Sequence, residues 1–83
     1  METVYLNGQF VSRDNAWVSP DDRGFLFGDS VYEGVRCYGG YFFDMEGHMT
    51  RLRRSLAETR ITWNEIDAFP DIAGELITKN SIN

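Results

Sequence analysis

The chain has 83 residues, 42% of them apolar and 25% charged, with 8 basic against 13 acidic residues and a net charge of −5. This is the composition of a folded globular chain, and its sign disfavours a general nucleic-acid or anionic-membrane binder. One cysteine, Cys37, excludes an internal disulfide framework and gives no metal-ligand spacing.

No apolar run approaches the roughly 18 residues of a membrane span, and METVYLNGQF lacks the basic-then-apolar layout of a signal peptide, so a cytoplasmic location is expected. A chain this short buries only about 60 to 65% of its unfolded surface. It is therefore either a marginal self-standing domain or a piece of something larger.

In chain order, VYLNGQFV from Val4 to Val11 has apolar segments on both sides of Asn7-Gly8, the strongest short hairpin signal. SPDDRG, Ser19 to Gly24, reads as a turn in which Pro20 pushes Ser19 toward extended geometry. Val31 to Tyr38 then reads as a strand, Gly39-Gly40 as a second hairpin turn and Tyr41-Phe42-Phe43 as the return strand. Alternation along the first of these strands puts Tyr32, Gly34 and Arg36 on one face and Val35 and Cys37 on the other.

After Asp44 the period changes to 3.6. Met45, Met49, Leu52, Leu56 and Thr59 predict an amphipathic helix from Glu46 to about Arg60 with Asp44 as its cap. A second helix, roughly Glu65 to Thr78, carries Ile66, Phe69, Ile72, Ala73, Leu76 and Ile77 on one stripe. Pro70 falls inside it at a cost of about 3 kcal/mol, which would move its start to near Phe69. Hairpins followed by two helices make an α+β half-layer whose apolar faces need each other.

Few residues offer chemistry. His48 is the only histidine and has no second ligand nearby, so no metal site is expected and a structural or hydrogen-bonding role is preferred. Ser30, Ser55 and Cys37 lack an adjacent base, which argues against a nucleophile. Asp29 and Glu33 are read as local caps or ion-pair partners. Arg51 follows His48 by three residues at the edge of the apolar stripe, where its fork of donors suits a phosphate or carboxylate. An intramolecular salt bridge to one of the thirteen acids is the alternative, while Arg53 and Arg54 read as solvent-side charges.

The order VYLNGQFV, Asp22-Arg23-Gly24, Phe27-Gly28-Asp29, Val31-Tyr32-Glu33-Gly34 and His48-x-x-Arg51-Leu52 resembles the N-terminal part of the fold-type IV pyridoxal-phosphate enzymes. That family takes in branched-chain and D-amino acid aminotransferases, amine transaminases and aminodeoxychorismate lyase. The resemblance implies that Arg51 binds the phosphate of pyridoxal 5'-phosphate and that Tyr32, Gly34 and Arg36 line the substrate pocket. It implies no catalytic residue in this chain: the Schiff-base lysine is expected beyond Asn83, and Lys79, the only lysine, aligns with no catalytic lysine of the family.

On this reading residues 1 to 83 are the small N-terminal domain of a two-domain enzyme. Its partners would be the C-terminal domain and a second copy in a homodimer or higher homo-oligomer, with an amino acid and a 2-oxo acid as substrates. Glu33-Gly34-Val35-Arg36 resembles branched-chain enzymes more than D-amino acid ones, which carry a bulkier residue where Gly34 stands. Alternatives are a lyase of the same family and a non-catalytic domain that binds a phosphorylated ligand.

Overall fold

The computed structural model describes residues 2 to 82; both limits of the expected domain, residues 1 and 83, fall outside them. Two antiparallel hairpins precede two helices, the α+β order expected. The first hairpin pairs β1 (Thr3–Leu6) with β2 (Gln9–Ser12) in the register Val4 to Val11 and Tyr5 to Phe10. Asn7 and Gly8 both have positive φ, 51° and 82°, the signature of a turn whose twist matches that of the strands. Across it the Tyr5 and Phe10 rings meet edge to face at 5.0 Å.

Two short helical pieces went unread in the sequence, a 3-10 turn at Arg13–Asn15 and a single turn after Asp22. Asp22 accepts a hydrogen bond from the Gly24 N–H at 2.9 Å and so caps a single helical turn, α1 (Arg23–Leu26). The second hairpin pairs β3 (Cys37–Tyr38) with β4 (Tyr41–Phe42) around Gly39-Gly40, both at positive φ. The predicted strand Val31 to Tyr38 is thus cut to its last two residues, and the return strand stops at Phe42.

The reason is the lack of a neighbour. Residues 31 to 36 face no second strand among the described residues and form no ladder, although Arg36 still accepts from the Phe43 N–H at 2.8 Å. Their burial nevertheless alternates: Val31, Glu33, Val35 and Cys37 are half-buried, while Tyr32, Gly34, Arg36 and Tyr38 are exposed.

Helix α2 (Met45–Thr59) begins where the period changes, with Asp44 accepting from the Gly47 N–H at 3.2 Å. It ends on Arg60 in the left-handed region, with the Ile61 N–H reaching back to the Leu56 carbonyl at 3.0 Å. Among the described residues the three buried apolar side chains, Met49, Leu52 and Leu56, all lie on it.

Helix α3 (Phe69–Lys79) follows a 3-10 turn at Ile66–Ala68. Pro70 sits in its first turn, where a missing N–H costs nothing, so the later of the two expected starts is the one adopted. This helix packs on β1, and Lys79 Nζ lies 5.3 Å from the centre of the Phe10 ring.

The assembly is open. Its radius of gyration is 13.7 Å, against about 12 Å for a compact domain of this length. Trp17, Phe25, Leu26, Phe27, Tyr41 and Phe43 each leave more than half of their surface in solvent.

Candidate functional site

The alternating segment and α2 meet at one cluster of charge. Glu33 is on the inner side of the segment, and a carboxylate placed there needs a partner. Two are supplied by α2, because His48 and Arg51 are three apart and share a helix face. Glu33 Oε1 lies against His48 Nδ1, and Arg51 Nη2 donates to the same oxygen at 3.2 Å. Arg51 Nη2 is also 2.8 Å from His48 Nδ1.

A bare Nδ1 would set its lone pair against those of the carboxylate, so we assign the proton to Nδ1, donating to Glu33. Nδ1 and the Arg51 N–H are then two donors converging on one acceptor. The His48 hydrogen bond, with Arg51 beside it, holds the Glu33 carboxyl below the usual glutamate range in spite of desolvation.

Burial divides the cluster. The side chains of Glu33 and His48 are only 12% and 13% exposed, whereas that of Arg51 is 46% exposed. Both Arg51 contacts use Nη2, so among the described residues Nη1 and Nε engage no acceptor. The arginine is held along one edge and open along the other.

Tyr32, Gly34 and Arg36 share the outer face, as expected from alternation. Tyr32 is 89% exposed. Arg36 Nη1 donates to the Tyr38 hydroxyl at 3.3 Å. Asp29 does not join Glu33; it accepts from Arg23 Nε at 2.6 Å, and the Arg23 guanidinium lies 4.8 Å from the centre of the Phe27 ring. Arg53 is exposed, as its reading as a solvent-side charge has it, and pairs with the exposed Asp67.

No family model matches the chain. Individual proteins do. It is 39% identical over 83 residues to a D-alanine aminotransferase of Staphylococcus aureus, 36% identical over 83 residues to one of Staphylococcus haemolyticus and 38% identical over 82 residues to one of Listeria monocytogenes. These alignments cover 99%, 99% and 96% of the chain. The chain belongs to the class IV pyridoxal-phosphate aminotransferase family. It spans 28 to 29% of the length of these class IV relatives.

The Arg51 geometry fits a cofactor phosphate. An anion could still take Arg51 hydrogens that Glu33 leaves unused, since Nη1 and Nε engage no acceptor among the described residues, while Glu33 holds Nη2 and limits the guanidinium's rotation. Within this class IV chain the structure brings Arg51 together with Glu33 and His48, and sets Tyr32, Gly34 and Arg36 on the opposite side of the extended segment.

The Glu33 contact was missed in the sequence, yet two signals pointed to it: an acid in register with Val31 and Val35, and a histidine and an arginine at i, i+3 on the next helix. The salt bridge weighed for Arg51 is present, and it leaves Nη1 and Nε without an acceptor among the described residues.

Proposed function

We propose that this chain supplies the phosphate anchor and part of the substrate wall of a pyridoxal-phosphate enzyme that moves an amino group between an amino acid and a 2-oxo acid. The observation that carries the reading is Arg51, gripped by Glu33 on one edge of its fork and open on the other. Residues 1 to 83 would be the small N-terminal domain. The short span relative to the aminotransferases and the uncovered aromatic side chains support a second domain and a homo-oligomer that cover them.

In this scheme Arg51 orients the cofactor by its phosphate, donating from hydrogens that Glu33 does not take. Glu33 keeps the guanidinium from rotating, since its Nη2 is already engaged, and His48 holds Glu33 in place. Tyr32 offers a hydroxyl, and Arg36 a cation beside the Tyr38 hydroxyl, on the outer face where a substrate carboxylate would bind. When bound, the cofactor supplies an electron sink for loss of the donor's Cα proton. Lys79 pairs with Glu75 at 3.8 Å and stacks on Phe10, so the proton-transferring lysine is assigned to the second domain.

The names of the relatives make D-alanine one donor to test. The likeness of Glu33-Gly34-Val35-Arg36 to branched-chain enzymes makes branched-chain amino acids the others. The test is a donor panel of D-alanine, L-leucine and L-valine with one 2-oxo acid acceptor, run on the complete cofactor-loaded protein. Amino transfer from at least one donor is expected, and transfer from none would refute the reading.

A further inference from the structure

Glycine at position 34 is not demanded by the backbone. Gly8, Gly28, Gly39 and Gly40 have positive φ, and Gly34 does not. What the missing side chain does is admit Tyr32. A Cβ at position 34 would lie 3.1 Å from the Tyr32 hydroxyl oxygen and 3.6 Å from its Cε2 and Cζ. Residues i and i+2 of an extended segment are about 6.6 Å apart on one face. A tyrosine therefore reaches its second neighbour only by lying along the chain. The phenol makes no hydrogen bond among the described residues and is 89% exposed, so its contact with the bare backbone at Gly34 is what the structure offers to seat it.

We infer that Gly34 is a positioning residue for Tyr32: by carrying no side chain it lets the ring lie flat along the segment and thereby sets where the hydroxyl is presented to substrate. This rests on the reading of the outer face as a substrate wall. It differs from a simple space-making role, because the volume above Gly34 is taken by the phenol of the same chain. A methyl group there lies closer to Tyr32 Oη than nine in ten real Cβ contacts, so the ring must shift by a few tenths of an ångström.

The test is a double-mutant cycle in the complete cofactor-loaded protein, with NMR of the same samples. Gly34→Ala is expected to lower kcat/KM at least about five-fold when Tyr32 is present, and by less than about two-fold in the Tyr32→Leu background. An equal loss in both backgrounds, or a loss in neither, overturns the inference. The spectroscopic arm reads the Gly34 Hα signals after labelling glycine, assigned by their disappearance in Gly34→Ala. They are expected to carry an aromatic ring-current shift that Tyr32→Leu removes. Signals that do not move in Tyr32→Leu overturn the inference even if the parent transfers amino groups. Signals that move in a parent that transfers none leave the seating standing and sink the aminotransferase reading instead.

Discussion

Asn80 binds the backbone of Thr3 through both ends of its amide: its Oδ1 accepts from the Thr3 N–H at 2.7 Å, and its Nδ2 donates to the Thr3 carbonyl at 2.8 Å. The same Nδ2 donates to the Leu76 carbonyl at 2.8 Å. One side chain therefore joins the end of α3 to the first strand, 77 residues away in sequence. With only three buried apolar side chains among the described residues, such a clasp carries more of the tertiary linkage than it would in a larger core.

Removing the clasp is expected to be costly. Asn80→Ala loses three part-buried hydrogen bonds, and at about 0.5 to 1.5 kcal/mol each the loss should be about 1.5 to 4.5 kcal/mol. Urea unfolding of parent and variant measures it, and a difference under about 0.5 kcal/mol would show that the clasp contributes little.

Gly74 offers the opposite change. It lies inside α3, its φ is not positive, and a Cβ there would meet nothing within 4 Å. Gly74→Ala should stabilise the 83-residue chain by up to about 1 kcal/mol through helix propensity and a less flexible unfolded chain. Thermal melting checks it. A gain in the short chain that turns into a loss in the complete protein would place another element against this helix face.

Cofactor retention tests the anchor. Charge-assisted hydrogen bonds are worth about 1.5 to 3 kcal/mol each, so Arg51→Ala should weaken retention by about ten-fold or more. Arg53→Ala, whose partner is Asp67, should change it by less than about two-fold. Spectrophotometric titration of the apo-protein measures both. Equal affinity of the Arg51 variant and the parent would remove the assignment.

Glu33 predicts a pH dependence. Its carboxyl is held below the usual range in the folded chain, chiefly by the His48 hydrogen bond. A depressed folded value means stability that is present above the ordinary glutamate pKa and lost as pH falls through the lower folded one. The parent should therefore exceed Glu33→Gln in urea midpoint near neutral pH, and the gap should close on acidification below the ordinary glutamate range. A gap that stays constant with pH would show that ionisation of Glu33 is not what the variant removes.

By itself the sequence determined the features that depend on a few neighbouring residues. Asn7-Gly8 and Gly39-Gly40 had to be turns because their backbone is cheap at positive φ, and Asp44 marked a helix start because its short acid reaches N–H groups three residues on. The stripe Met49, Leu52, Leu56 was legible for the same reason, helical spacing being a local property. The motif order that placed the chain among class IV enzymes is also a property of sequence alone.

Only the tertiary structure decided which distant groups meet. A strand exists when a neighbour pairs with it, and residues 31 to 36 alternate without one, so the pattern was right and the ladder absent. Of two acids four apart, Glu33 rather than Asp29 found His48 and Arg51, 15 and 18 residues away. Spacing along one segment says which face a side chain takes, but the partner across that face depends on how α2 is laid against it.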